Sequence, residues 1–160
     1  MHTQRKISLF YIEDSELYSI IIDEKLREVA DFKIQLYTTA EAAFKDLYLK
    51  PDLILLDYAL PGINGLDAIL RFKKNSPEIP IIVLSGQENL DVALEVMSAG
   101  ASGYISKKKF SAQELYEVIC SICVEKERNT KLSGLTLKKN KNVLIAFLIL
   151  LFLGIIWYNY

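Results

Sequence analysis

The sequence predicts an α/β protein: an open, doubly wound, five-stranded parallel sheet with helices on both faces, followed by an apolar C-terminal helix. Three observations carry this prediction. Short aliphatic and β-branched runs alternate five times with helical patterns over the first 127 residues. Two of those runs, LILL (53–56) and IIVL (81–84), are apolar on both faces, as strands covered from both sides must be. Finally, Val143–Tyr158 (VLIAFLILLFLGIIWY) holds no charge and no Asn, Gln, Ser or Thr.

The elements follow in order. Ile7–Ile12 reads as the first strand, and Glu16–Ala30 as a helix with Leu17, Ile20 and Ile21 on its apolar stripe. Phe32–Tyr37 is the second strand, followed by a helix over Thr39–Leu49 that carries Ala40, Ala43, Phe44 and Leu47. Asp52–Leu56 is the third strand, and Leu66–Lys74 a helix striped by Leu66, Ile69 and Leu70. Ile79–Leu84 is the fourth strand, and Leu90–Ala99 a helix stopped by Gly100. Gly103–Ser106 is the fifth strand. Ser111–Lys126 closes the body as a helix with Leu115, Val118, Ile119 and Ile122 at i, i+3, i+4, i+7. Ser111 is its expected N-cap, with Glu114 completing a capping box.

At 160 residues, 51% hydrophobic and 24% charged, the chain has the make-up of one core-forming domain and not of a disordered segment. A net charge of -1 argues against a nucleic-acid partner. The charge is uneven: residues 1–124 hold 13 Lys/Arg and 18 Asp/Glu, and residues 125–160 hold 6 and 2. Two Cys make no disulfide framework, and the Cys120–Cys123 pair in mid-helix reads as reduced packing. One His is too few for a usual zinc set. The polar start Met1–Lys6 and the charges at Glu13 and Asp14 argue against a secretory leader.

The expected division is a body over 1–127, a polar basic linker over 128–142, and a transmembrane or anchoring helix over 143–160. Sixteen apolar residues make a helix about 24 Å long, short against a hydrocarbon core of about 30 Å. Trp157, Tyr158 and Tyr160 suit a headgroup interface, and Lys138, Lys139 and Lys141 at the other end keep the body on the cytoplasmic side. A flexible linker of about 15 residues spans roughly 20 Å r.m.s., which holds the body near the bilayer.

Sheets of this kind bind ligands at the carboxyl ends of their strands. There the sequence places Glu13 and Asp14 after the first strand, Asp57 after the third, Ser85 after the fourth and Lys107 after the fifth. Neither GxGxxG nor GxxxxGK[ST] occurs, so dinucleotides and P-loop nucleotides are poorly supported. Three crowded carboxylates suit Mg²⁺, which takes carboxylate, phosphate and water oxygens. The three acids balance Mg²⁺ plus Lys107, so one carboxylate can attack phosphorus in a neutral site. Asp57 is the natural acceptor, since it ends an apolar strand and opens the loop DYALPGING. An Asp-based phosphatase needs a second acid two residues on, and Ala59 stands there.

The acidic pair Glu13-Asp14, LLDYALPGINGLD (55–67), VLSG (83–86) and GASGYISK (100–107) stand in order at these strand ends. With them, the stretch from about Lys6 to Glu127 resembles the receiver domain of two-component response regulators. The resemblance implies a flavodoxin-like sheet of strand order 2-1-3-4-5. It implies Asp57 as phosphoacceptor, served by a sensor histidine kinase or phosphotransfer protein, in a signalling protein that is no enzyme beyond assisting its own phosphorylation and dephosphorylation. It implies Mg²⁺ held by Asp14, Asp57, the Ala59 backbone carbonyl and, through water, Glu13. Lys107 pairs with the carboxylate or phosphoryl group, Ser85 turns to the phosphate, and Tyr104 is the aromatic that moves with it. The output face is then the fourth helix, fifth strand and fifth helix, aimed at a membrane-bound partner. The family usually has a cis Pro after the lysine. Lys108 stands there, and a non-proline cis bond costs about 3–4 kcal/mol, so a trans bond or a reshaped loop is expected. That departure motivates the alternative of a membrane-bound scaffold that keeps the fold without using phosphate.

Overall fold

A computed structural model describes residues 6–108, 111–126 and 128–131. Residues 1–123 form one compact unit, and 124–160 belong to a second. In the first unit five strands make one parallel sheet: β1 (Ser8–Ile12), β2 (Lys33–Tyr37), β3 (Leu53–Asp57), β4 (Ile81–Ser85) and β5 (Gly103–Ser106). The order across it is β2-β1-β3-β4-β5. The helices are α1 (Glu16–Val29), α2 (Ala40–Lys45), α3 (Gly65–Asn75), α4 (Leu90–Ser98) and α5, which covers 112–126.

The two-residue period of the strands sorts the core into two layers. Phe10, Ile12, Ile54, Leu56, Ile81 and Val83 pack with Ala40 and Ala43 of α2, Ile69 and Phe72 of α3, and Val96 of α4. Leu9, Tyr11, Leu53, Leu55, Ile82 and Leu84 pack with Ile22 and Leu26 of α1 and with Leu115 and Ile119 of α5. Strands β3 and β4 are buried at every position, as their unbroken apolar runs require.

Side-chain caps start the helices. Ser15, Thr39, Asn64 and Asn89 accept from the backbone N–H of Tyr18, Ala42, Asp67 and Asp91. Ser111 accepts from Glu114 N–H at 3.1 Å, the cap expected from sequence.

Three expectations need correction. The stripe of α1 is not Leu17, Ile20 and Ile21: Leu17 and Ile20 are exposed, and Ile22 and Leu26 are buried. With Ile20, Ile21 and Ile22 contiguous, hydrophobicity alone sets no helical phase, and the packing of Ile22 and Leu26 against the sheet sets it instead. Likewise Leu70 of α3 is exposed, while Ala68, Ile69 and Phe72 face the core. The single helix expected over Thr39–Leu49 stops at Lys45 and resumes as a 3-10 turn, Leu47–Leu49. Asp46 breaks it, because its carboxylate accepts from Tyr37 Oη at 3.0 Å and Gln35 Nε2 at 3.3 Å on β2.

The apolar stretch 143–158 and most of the linker lie outside the described residues. Among those described, no helix is long and apolar enough to cross a membrane.

Candidate functional site

Backbone rungs beyond the strands carry the site residues to one edge. Glu13 N–H donates to Tyr37 O at 2.9 Å, which prolongs the β1–β2 ladder by one residue. Tyr58 N–H donates to Leu84 O at 2.9 Å, and this fixes the exit of β3 just past Asp57. Lys107 N–H donates to Ser85 O at 2.7 Å, so the lysine backbone is held at the end of β4. The Lys107–Lys108 peptide is trans, since no cis bond occurs among the described residues. The loop after Asp57 turns at Gly62, whose φ of 83° favours glycine. Gly65 lets α3 approach Tyr58 closely: a Cβ there would stand 2.8 Å from Tyr58 O.

Strand alternation points Glu13, Asp57 and Lys107 to the α1/α5 side, continuing the rows Leu9–Tyr11, Leu53–Leu55 and Ile105. There the three meet. Lys107 Nζ lies 2.5 Å from Glu13 Oε2 and 2.9 Å from Asp57 Oδ1, with all three side chains at most 5% exposed. Asp14 is exposed beside them, and one oxygen from each of Glu13, Asp14 and Asp57 lies within 4.8 Å of the others. Ser85 and Tyr104 belong to the opposite row, with Val83. Both bind Gln87. Ser85 Oγ accepts its N–H at 3.1 Å, and Tyr104 Oη donates to its carbonyl at 2.5 Å. Ala59 is exposed in the loop past Asp57, and Lys108 is exposed as a solvated charge.

Burial is the main cause that raises the Glu13 pKa. The hydrogen bond and charge of Lys107 oppose it, as does the Ser15 N–H, and the Asp57 charge adds to it. Tyr11, fully buried, has its hydroxyl pKa pushed far up by burial and by Glu13, so it remains a proton donor.

Two features fit a hard divalent cation. Asp57 Oδ1 is fully buried, with the Lys107 ammonium 2.9 Å away but no aligned hydrogen bond, so it keeps lone-pair capacity for a second cation. Each of the three acids offers a carboxylate oxygen within 4.8 Å of the others, a cluster of hard oxygen donors of the kind Mg²⁺ takes. Sequence reasoning missed Tyr11, Tyr18 and Gln87. Tyr11 was legible: it stands two residues before Glu13 on a strand, so both point to the same side.

A parallel 2-1-3-4-5 sheet with an acid cluster and a buried lysine at its carboxyl edge is the arrangement of a receiver domain. The family model for the response regulator receiver domain matches residues 9–120, and the chain belongs to that family. Receiver domains bind Mg²⁺ at an acidic pocket, which Glu13, Asp14 and Asp57 form here.

The glycerol metabolism activator of Pseudomonas putida is 31% identical over 101 residues, which are 61% of this chain and 43% of that protein. The transcriptional regulatory protein PhoP of Escherichia coli O157:H7 is 35% identical over 83 residues, 50% of this chain and 37% of PhoP. This chain thus spans less than half the length of these relatives. A CheY-like receiver domain protein from Methanospirillum hungatei superposes with a TM-score of 0.70 at 21% identity, covering 78% of this chain and 99% of that one. NtrX from Brucella abortus does so at 0.74 and 23%, covering 82% and 30%. These last two likenesses speak to the fold.

Proposed function

We propose that this protein is a phosphorylation switch in a two-component relay, accepting a phosphoryl group on Asp57 while its tail 143–160 tethers it to a membrane. The observation that carries the reading is the buried ammonium of Lys107, held against Asp57 at 2.9 Å beside two further carboxylates. Asp14, Asp57 and the Ala59 carbonyl would hold Mg²⁺, with Glu13 beside them. Bound Mg²⁺ supplies charge neutralisation at the phosphoryl oxygens.

In the reaction an Asp57 carboxylate oxygen attacks phosphorus. The bond from phosphorus to the donor's imidazole nitrogen, or to the acetate oxygen of acetyl phosphate, breaks with its electron pair leaving on the donor. Lys107 donates hydrogen bonds to the phosphoryl oxygens. Ser85, whose Oγ accepts from Gln87, keeps its own proton to donate. A Ser85 that turns toward the phosphate releases Gln87, to which Tyr104 is bonded, and so alters the face built by α4, β5 and α5. Beyond assisting its own phosphorylation and dephosphorylation the chain is no enzyme. Its partners are a histidine kinase or phosphotransfer protein and an output partner at the membrane, with the receiver domain on the cytoplasmic side.

The test is incubation with acetyl phosphate and Mg²⁺, read by intact mass, on protein from both membrane and soluble fractions. Wild type should gain one phosphoryl group and Asp57→Asn none. Full labelling of Asp57→Asn would end the phosphoacceptor reading. Partner capture that is indifferent to Asp57→Asn would favour a phosphate-independent scaffold. Recovery of the chain in the soluble fraction would remove the tether.

A further inference from the structure

A lysine ammonium sits on a stem of four carbons, and the backbone bond at Lys107 N–H does not fix where that stem ends. The structure supplies two aromatic groups that do. Lys107 Nζ lies 4.5 Å from the centroid of the Tyr18 ring, within cation–π range. Of the two carboxylates that also anchor it, Glu13 and Asp57, Glu13 is itself held at both oxygens. Ser15 N–H donates to Oε1 at 3.2 Å, and the buried Tyr11 hydroxyl donates to Oε2 at 3.3 Å. The same Tyr11 hydroxyl lies 3.3 Å from Tyr18 O, so its one proton is shared between Glu13 and the first turn of α1, which carries the ring. From the strand end a closed circuit runs Tyr11 to Glu13 to Lys107 to Tyr18 and back to Tyr11.

We infer that Tyr11 and Tyr18 are positioning residues, a clamp that holds the Lys107 ammonium over the acidic site. The inference rests on the reading of Asp57 as phosphoacceptor and adds which residues aim its lysine. The two tyrosines divide the work. Tyr11 holds the carboxylate that faces the ammonium. Tyr18 offers a π face whose attraction for a cation does not depend on the charge state of the acids, so it still restrains the ammonium when Asp57 no longer pairs with it. Tyr18 is 40% exposed, so its replacement costs little core packing.

The experiment uses the full chain and reads two quantities. In metal-free protein, the proton shifts of the Lys107 methylene next to nitrogen report the ring directly. They should be displaced upfield in wild type and Tyr18→Phe, and return to ordinary lysine values in Tyr18→Leu. With acetyl phosphate and saturating Mg²⁺, Tyr18→Leu should label about fivefold more slowly. Its Mg²⁺ dissociation constant by calorimetry should stay within about twofold, and Tyr18→Phe should keep the rate. Tyr11→Phe should shift the Lys107 resonances and slow labelling with its ring intact. An undisplaced Lys107 signal in wild type, a wild-type rate in Tyr18→Leu, or equal defects in the Leu and Phe variants would overturn the clamp. A wild type that takes no label refutes the phosphoacceptor reading instead, and the metal-free spectra then decide the clamp alone.

Discussion

Replacing Lys107 by Met keeps the length of the stem and removes its charge. In metal-free protein this leaves Glu13 and Asp57, both at most 5% exposed, facing each other without a cation. Breaking a buried ion pair from one side costs about 3–5 kcal/mol. For a body of this size each kcal/mol moves Tm by about 3–5 °C, so a fall of roughly 10–20 °C is expected in EDTA. The loss has a definite pH dependence. The Glu13 pKa is already raised in the folded protein, chiefly by burial. A raised carboxyl pKa contributes stability below the ordinary carboxylate range and loses it as pH rises through the folded value. Without Lys107 that pKa climbs further, so the variant's deficit should be small near pH 5 and full near pH 8. Saturating Mg²⁺ should restore most of the loss at pH 8 and stabilise the variant more than wild type, because it replaces the missing charge. The assay is thermal and urea denaturation at both pH values, with EDTA or Mg²⁺. A variant as stable as wild type in EDTA at pH 8, or a Mg²⁺ increment no larger than that of wild type, would refute the electrostatic account of this site.

Three further outcomes are expected. Gly65→Ala places a Cβ 2.8 Å from Tyr58 O and should cost about 1–3 kcal/mol in urea denaturation, with slower labelling of Asp57 because the loop beside it must move. Ser85→Ala and Tyr104→Phe each remove one bond to Gln87 and should cost about 0.5–1.5 kcal/mol. Amide exchange at Gln87 should rise in Ser85→Ala, and the double variant should be non-additive, as residues sharing one partner are. Leu17→Ser and Ile20→Ser should leave stability within about 0.5 kcal/mol, whereas Ile22→Ala should cost about 2–5 kcal/mol, which distinguishes the observed stripe of α1 from the one its hydrophobicity suggests.

Strands were easiest to read where burial is two-sided, because β3 and β4 leave no polar position inside an apolar run. Even there the ends moved: Asp57 and Ser85 are the last residues of β3 and β4, not the first residues after them, and their ladder bonds are made to neighbours that the local sequence does not contain. Helix phase was hardest where apolar residues crowd together, as at Ile20–Ile22. The break at Asp46 depends on Tyr37 and Gln35, acceptable to no rule that looks along one helix alone. Within the site the charged members could be named from sequence, because three acids and a lysine at strand ends are chemically unusual. The tyrosines could not be told from ordinary core residues by type, although the parity of Tyr11 with Glu13 held the clue. That Ser85 and Tyr104 share Gln87 depends on a loop geometry that no motif encodes.

The alternation of side chains also separates two tasks by the thickness of a single pleated layer. The acids and the ammonium occupy one side, and the hydroxyl and ring that grip Gln87 follow the row on the other. Because α5 packs on the side of the acids and α4 on the other, a surface that takes in both helices has to straddle the sheet at its β5 edge. On the proposed reading, a change at Asp57 would reach Tyr104 through the tip of β4, where Ser85 and Gln87 meet.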